Sequence, residues 1–253
     1  MLSKGKLKFI RSLEMKKHRK EEQAFVAEGP KIIHDLDGHF ACKLLLATSA
    51  WIESQVSLPQ AEEIIEVTPE ELSRASFLKT PQEVMAVYAL PTTTLRPDVF
   101  ENELTLALDD VQDPGNLGTI IRLADWFGIR HIFCSPGTAD GYNPKVVQAT
   151  MGAIARVQLH YQPLLPLLEE LNQKQIPIYG TFLDGENMYE KKLSNHGIIV
   201  MGNEGNGISP LLREKIDQRL YIPNYPTGVL TSESLNVATA TAIICSEFRR
   251  RQR

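Results

Sequence analysis

The stretch LALDDVQDPGNLGTIIRLADWFGI, residues 106–129, decides the fold of this 253-residue chain. Its first three residues form a short apolar run of the kind found in strands buried on both faces. Acidic residues, a proline and a glycine follow as a turn, and from Asn116 onward apolar residues recur at helical spacing. Arg122 falls within this apolar register, so we expect it on the buried side of the helix with a partner. A strand, a turn and a helix bearing such a residue indicate a reaction site.

Two later segments repeat the order of strand, loop and helix. Residues 198–209, IIVMGNEGNGIS, run from an apolar strand into a glycine-rich loop and end at a serine followed by Pro210, a favourable helix start. Residues 220–244, LYIPNYPTGVLTSESLNVATATAII, pass from a strand through a polar loop into a helix of small and apolar residues. Ser234 is the natural N-cap of this last helix, which would place Asn236 inside it.

Strands and helices alternate after a linker at residues 90–104 that contains two prolines. This alternation predicts an α/β domain with a mostly parallel sheet covered by helices on both faces. Ligands of such sheets bind at the carboxyl ends of the strands, where all three segments leave their strands. The pattern before the linker predicts a smaller α/β domain. We therefore expect two domains, residues 1–98 and residues 99–253.

Taken in order, the three segments resemble the motifs of a known enzyme family. Asn-Leu-Gly with an arginine downstream, Gly-Asn-Glu-Gly, and Ile-Pro followed by Ser-Leu-Asn-Val resemble the SpoU (TrmH) family of RNA ribose 2′-O-methyltransferases in the SPOUT superfamily. The resemblance implies S-adenosyl-L-methionine as cofactor, a deep trefoil knot at about residues 198–245, and a homodimer. It also implies that residues 1–98 form an RNA-binding domain with the fold of a small ribosomal protein (L30e-like).

The resemblance further implies a role for each motif residue. The residues expected to contact the cofactor are Thr181, Gly202, Gly205, Ile222, Pro223 and Leu235. The residues expected to act in catalysis are Arg122, Asn116, Glu204, Ser234 and Asn236. Arg122 would act at the reacting 2′-hydroxyl as a base, or as a stabiliser of the developing alkoxide, which suits a guanidinium better. A structural ion pair between Arg122 and Glu204 is the alternative. No metal is expected.

One segment departs from the family pattern. Residues 224–233, between Ile222-Pro223 and Ser234, form a longer loop than the compact one typical of the family. Cofactor contacts within this loop are therefore not predicted.

Other enzyme classes fit the sequence poorly. The glycine loop is not G-x-G-x-x-G and lacks an acidic residue about twenty positions on, so a Rossmann dinucleotide site is not indicated. A P-loop lysine is also missing. The six histidines form no H-E-x-x-H motif and accompany no nucleophile elbow, so hydrolase chemistry is not supported.

The distribution of charge is compatible with an RNA substrate. The net charge is −4, yet the first twenty residues contain eight lysines and arginines and one glutamate. We expect this basic segment to contact RNA phosphates. A solvated basic helix without such a role is the alternative.

The sequence favours a cytoplasmic protein. The three cysteines form neither a disulfide framework nor a zinc motif, and the N-terminus lacks the apolar region of a signal peptide. The last helix is apolar on almost every side, which favours burial against a second copy or against the rest of the same chain.

The predicted activity is S-adenosyl-L-methionine-dependent 2′-O-methylation of a ribose in RNA, with ribosomal RNA favoured because of the N-terminal domain. The alternatives are a transfer RNA ribose methyltransferase and a non-catalytic RNA-binding member of the fold.

Overall fold

The structure, a computed structural model, describes residues 1–226, 229, 232 and 234–252. Its contacts divide the chain into two compact units. The first unit contains Met1–Thr92 and Asp140–Ala155, and the second contains Thr93–Ala139 and Arg156–Arg253. The predicted division at residue 98 did not include the return of residues 140–155 to the first unit. Several residues of the loop 224–233, whose greater length the sequence indicated, lie outside the described part.

The helices and strands are numbered in chain order. The helices are α1 (Lys4–Ser12), α2 (Lys16–Glu22), α3 (Pro30–Leu36), α4 (Ser49–Ser54), α5 (Pro69–Ala75), α6 (Val99–Asn102), α7 (Pro114–Trp126), α8 (Pro144–Thr150), α9 (Leu164–Gln173), α10 (Pro210–Arg213) and α11 (Val237–Arg250). The strands are β1 (Ala24–Glu28), β2 (Cys42–Ala47), β3 (Ile64–Glu66), β4 (Val84–Ala89), β5 (Leu104–Leu108), β6 (His131–Cys134), β7 (Gln158–Tyr161), β8 (Ile178–Asn187), β9 (Gly197–Met201) and β10 (Gln218–Tyr221).

The first unit is the predicted small α/β domain. Its sheet has the order β1-β4-β2-β3, with β4 antiparallel to β1 and β2 and with β3 parallel to β2. Apolar side chains of α1 and the sheet form the core, among them Ile10, Val26, Leu46 and Val87. Helix α5 begins with a capping box, because Thr68 accepts from the Glu71 backbone and Glu71 accepts from that of Thr68.

A buried arginine ties residues 140–155 to this unit. The Arg19 side chain is 2% exposed, and its guanidinium donates to the carbonyls of Leu13 and Glu14, each at 2.7 Å. The same guanidinium forms an ion pair with the Asp140 carboxylate at 2.6 Å. A buried charge is tolerated only when it is paired and hydrogen-bonded, so this cluster is a structural element.

The second unit contains the predicted parallel sheet. The strand order is β10-β8-β9-β5-β6-β7, and each described pair is parallel. Strands β5 and β9 are buried along their whole lengths, as expected for central strands covered on both faces. The site lies where β9 and β10 end, beside residues 181–184 within β8.

The starts of α7 and α11 differ from the prediction. Asp113 is the N-cap of α7, because its carboxylate accepts from the backbone N–H of Asn116 at 2.8 Å. Asn236 is the N-cap of α11, since its side-chain oxygen accepts from the backbone of Ala238 and Thr239. The prediction of Ser234 as the cap was therefore wrong. The backbone of Asn236 is not helical, with φ −54° and ψ 139°, so the helix begins only at the next residue.

Candidate active site

A cavity of about 690 Å³ opens at the carboxyl ends of β9 and β10, beside residues 181–184 in the middle of β8. It is lined by the loop after β9, by residues that follow β10 and by the start of α11. The predicted site residues that line it are Thr181, Gly202, Glu204, Gly205, Ile222, Ser234 and Leu235. Pro223 does not line it. The structure thus brings the second and third motifs together around one space, with a volume typical of small-molecule sites.

Asn203 shapes the loop after β9, although the sequence analysis did not single it out. Its side-chain oxygen accepts from the backbone N–H groups of Gly205 and Asn206 at 2.9 and 3.0 Å. Its side-chain nitrogen donates to the carbonyl of Asp110 at 2.8 Å. Its backbone also exchanges two hydrogen bonds with Gly207. The asparagine in Asn-Glu-Gly is a typical turn residue, which was the available signal.

Gly202 is required by the loop itself. A Cβ atom at this position would overlap the backbone of Gly207 and Ile208. A side chain there would displace the loop of the same chain before reaching any ligand. The family resemblance predicts contact between Gly202 and the cofactor, and the structure adds this steric constraint within the loop.

Three predicted catalytic residues form a hydrogen-bonded chain, which we call the amide–carboxylate chain: Asn236, Asn116 and Glu204. The Asn236 side-chain nitrogen donates to the side-chain oxygen of Asn116 at 2.9 Å. The Asn116 side-chain nitrogen in turn donates to Glu204 Oε1 at 2.5 Å. Because Asn236 is fixed as a helix cap, both amides have defined orientations, and they hold one oxygen of a carboxylate that lines the cavity. Among the described residues, Glu204 Oε2 has no hydrogen-bond partner.

Arg122 does not lie where the sequence predicted. The buried face of α7 uses Leu117, Ile121 and Ala124, and Arg122 is exposed beside it. One helical turn further along, Trp126 is also exposed, at 84%. In the described part of the chain, Arg122 makes no hydrogen bond or ion pair. The expectation of a buried-side arginine and the alternative of an ion pair with Glu204 were therefore both wrong.

An acidic and a basic residue also line the cavity, at the end formed by β8 and α10. Arg213 lies with its guanidinium carbon 5.1 Å from the centre of the Phe182 ring, and its Nη2 atom is 3.6 Å from Asp184 Oδ1. Arg219 donates to the same Asp184 oxygen at 2.6 Å and stacks on Phe182 at 4.1 Å. The hydrogen bond from Arg219 lowers the pKa of Asp184, so this carboxylate stays charged. Sequence analysis gave no signal for this cluster.

The basic N-terminal segment is partly used within its own unit. Arg19 is buried with Asp140, Lys6 forms an ion pair with Glu63, and Arg11 donates to a backbone carbonyl. The expectation that the whole segment faces RNA was too broad. Three exposed lysines of the segment are candidates for such a role: Lys4, Lys8 and Lys20.

No cluster of three or more histidine, cysteine, aspartate or glutamate side chains is placed to hold a metal ion within the described residues. Over the same residues, no helix has the length and hydropathy needed to cross a membrane.

The protein combines a parallel α/β sheet, a glycine-containing loop, an open cavity and an oriented carboxylate, which are together typical of cofactor-binding α/β enzymes. Comparison with known proteins defines it further. The model of the SpoU rRNA methylase family matches residues 103–246. The model of the MRM3-like substrate-binding domain matches residues 4–86. The chain belongs to the SpoU rRNA methylase family, as its motifs predicted.

Individual relatives agree with this assignment. The 23S rRNA guanosine(2553)-2′-O-methyltransferase RlmP of Bacillus subtilis is 31% identical over 247 residues, which is 96% of each chain. The 23S rRNA guanosine-2′-O-methyltransferase RlmB of Neisseria meningitidis is 35% identical over 61% of this chain and 63% of its own.

Solved structures also resemble the whole chain. A TrmH-family protein from Porphyromonas gingivalis is 48% identical, with a TM-score of 0.90 over 99% of both chains. An AdoMet-bound rRNA methyltransferase from Sinorhizobium meliloti is 29% identical, with a TM-score of 0.83 over 99% of this chain and 96% of its own. These findings confirm the predicted fold class and the predicted enzyme class, an RNA methyltransferase.

Proposed function

We propose that this protein transfers a methyl group from S-adenosyl-L-methionine to the 2′-hydroxyl of a ribose in ribosomal RNA. The amide–carboxylate chain at the cavity wall is the observation that carries the proposal, because it unites the first, second and third motifs at one point. Relatives named as rRNA 2′-O-methyltransferases support the choice of ribosomal RNA over transfer RNA.

The residues of the cavity fit this cofactor. Ile222 and Leu235 offer apolar walls for an adenine ring, and the loop from Gly202 to Gly207 supplies backbone polar groups. Carboxylates at Asp184 and Glu204 suit a ligand that carries positive charge. When bound, S-adenosyl-L-methionine supplies a methyl group on a sulfonium, which needs no metal to become electrophilic.

The amide–carboxylate chain prepares an acceptor for the proton of the ribose hydroxyl. Asn116 donates a hydrogen bond to Glu204 Oε1, which leaves Glu204 Oε2 to accept a hydrogen bond from a hydroxyl group. Fixing the carboxylate in this way removes rotational freedom before the substrate arrives. Glu204 thereby orients the hydroxyl and takes its proton as the hydroxyl oxygen bonds to the methyl carbon. The methyl–sulfur bond of the cofactor breaks in the same step, so that S-adenosyl-L-homocysteine leaves as the thioether product. Arg122 is proposed to stabilise the negative charge that develops on that oxygen.

The two loops that line the cavity are proposed to form the trefoil knot of the family at about residues 198–245. Residues of the loop after β9 and described residues between β10 and α11, namely Ile222, Ser234 and Leu235, line the same cavity, which supports this proposal. The N-terminal unit is proposed to bind the RNA, in agreement with its match to a substrate-binding domain. A cytoplasmic location is supported by three free, buried cysteines.

The activity is tested by incubating the purified protein with tritiated S-adenosyl-L-methionine and RNA from cells that lack it. The RNA is then digested to nucleosides. The proposal expects tritium in one 2′-O-methylated nucleoside from ribosomal RNA. Tritium in a base-methylated nucleoside, or only in transfer RNA, would contradict it. Cofactor binding without transfer to any RNA would favour the non-catalytic alternative.

The protein is also proposed to act as a homodimer that pairs through the exposed face of α7 and α11. Much of the apolar surface of α11, including Ile244 and Phe248, is buried within its own unit, so it does not by itself require a second copy. Trp126 is 84% exposed and lies beside Ser246 and Arg250 of α11. An exposed tryptophan on a helical face is typical of an interface.

Sedimentation tests this assembly. The wild-type protein is expected to sediment as a dimer at micromolar concentration, and Trp126→Lys as a monomer. Val56→Lys, which changes a fully exposed apolar residue of the first unit, is the matched control and should remain dimeric. A monomeric wild-type protein would refute the dimer. A dimeric Trp126→Lys variant would refute this face as the interface.

A further inference from the structure

Arg213 has unused donors within the cavity. Among the described residues that line the cavity, Arg213 alone is positively charged, whereas Asp184 and Glu204 are negatively charged. The guanidinium is held over Phe182, and its contact with Asp184, at 3.6 Å, is longer than a hydrogen bond. Among the described residues, no acceptor lies within hydrogen-bond distance of this side chain. Its donors can therefore receive an anionic group that enters the cavity.

Arg219 is the ion-pair partner of Asp184 and holds this carboxylate in place without a ligand. Arg219 donates to Asp184 at 2.6 Å and stacks on Phe182 at 4.1 Å. Arg219 is absent from the cavity lining, so one arginine fixes the carboxylate and the other faces the space. The result is a cation and an anion side by side at one end of the cavity. Such a pair is complementary to a zwitterion.

We propose that Arg213 and Asp184 recognise the amino-acid end of S-adenosyl-L-methionine. Arg213 donates to its α-carboxylate, and Asp184 accepts from its α-ammonium group. The cofactor carries a single carboxylate, and a planar guanidinium is the side chain best suited to bind it. This inference rests on the proposed cofactor cavity and adds a binding role for two residues outside the three motifs.

These two contacts would also fix the orientation of the cofactor in the cavity. The amino-acid end is bound where β8 and α10 contribute Asp184 and Arg213, while Glu204 belongs to the loop after β9. Contacts at Arg213 and Asp184 then fix the direction in which the cofactor enters. Binding energy from this non-reacting end serves to orient the reacting methyl group.

The test compares two thioether ligands by calorimetry, so that it does not depend on turnover. S-adenosyl-L-homocysteine contains the amino-acid end, and 5′-methylthioadenosine lacks it. Arg213→Gln should weaken binding of the first about tenfold, the scale of one charge-assisted hydrogen bond at a partly exposed site. Binding of 5′-methylthioadenosine should change less than twofold. The matched control is Lys215→Gln, which removes one positive charge two residues away and outside the lining.

A third ligand separates the two residues. The decarboxylated analogue of S-adenosyl-L-homocysteine keeps the amine, so Arg213→Gln should leave its affinity nearly unchanged, and Asp184→Asn should weaken it. Equal loss for all three ligands in Arg213→Gln would overturn the proposal and mean that the arginine shapes the cavity as a whole. Unchanged cofactor affinity with weakened RNA binding would overturn it in favour of an RNA phosphate.

Failure of this inference is distinguishable from failure of the proposed function. If 5′-methylthioadenosine and S-adenosyl-L-homocysteine both bind the wild-type protein, and Leu235→Asp weakens both, the cavity is the cofactor site whatever Arg213 does. If neither ligand binds the wild-type protein, the proposed function itself is refuted.

Discussion

Glu204→Gln should separate the chemistry of the site from its structure. Glutamine keeps an oxygen that can accept from Asn116, so the hydrogen bond of 2.5 Å and the loop geometry are expected to persist. What is lost is the negative charge and the capacity to take a proton. A positioned base contributes about 10²–10⁴ in rate, so we expect the methyl-transfer rate to fall at least about 10². Affinity for S-adenosyl-L-homocysteine, which lacks the sulfonium charge, should change less than about threefold, because Glu204 is one of several groups that line the cavity.

The assay is single-turnover transfer of a tritiated methyl group to RNA from cells that lack the protein, with cofactor affinity measured separately. Glu214→Gln serves as the control, since Glu214 is exposed and does not line the cavity. As a companion, Asn116→Asp places a second carboxylate beside Glu204. This change removes the amide donor to Glu204 Oε1 and sets two like charges side by side, so the methyl-transfer rate should fall in this variant as well. A near-normal rate in Glu204→Gln would refute the role of Glu204 as proton acceptor.

Three further changes test other parts of the molecule. Arg122→Ala should lower turnover by at least about 10². Stability should hardly change, because the side chain is exposed. Near-normal single-turnover rates would show that Arg122 has no catalytic role. Replacing Lys4, Lys8 and Lys20 with glutamine should flatten the slope of log RNA affinity against log salt by about two to three; equal slopes would remove this surface from RNA binding. Hydrogen bonds from Arg250, which has the larger effect, and from Arg251 lower the pKa of Glu247 to about 2, against an ordinary value of 4.5. The stabilisation of the folded state by the charged Glu247 is therefore present above pH 4.5 and lost toward pH 2. The urea midpoints of wild type and Glu247→Gln should differ at pH 7 and converge as the pH falls. A constant difference would contradict the ion-pair explanation.

The parallel sheet and the location of the site at its strand ends could be predicted, because both follow from the local pattern of apolar residues. Apolar runs such as residues 104–108 need burial on both faces, and their alternation with helices leaves few topologies. The order of the motifs then predicted that Gly202, Ile222 and Leu235 would meet, and the cavity confirms that these residues lie together. Their contact with the cofactor remains a prediction.

The side on which Arg122 lies could not be read reliably from the pattern. Successive helical residues differ by about 100°, so Arg122 falls directly beside the buried Ile121 and still faces solvent. The cap of α11 is a comparable case. Ser234 and Asn236 are both good caps, and only the bond between Asn236 and Asn116, 120 residues apart in sequence, shows which position is fixed.

Long-range pairing also explains the features that were missed. The return of residues 140–155 to the first unit depends on contacts such as that between Arg19 and Asp140, which are 121 residues apart. Arg213 and Asp184 come from different elements and belong to no motif. Pairs of this kind carry no periodicity, so a single sequence gives no basis for predicting them.

Methylation of a ribose in ribosomal RNA by this protein leaves a trace in the cell. The decisive experiment maps 2′-O-methylation across all cellular RNA in a strain that lacks the chain and in its parent. We expect one or a few ribose methylations in ribosomal RNA to disappear in the strain that lacks the chain. They should return with the wild-type gene and stay absent with Glu204→Gln. Identical maps in the two strains, or a loss confined to transfer RNA, would contradict it.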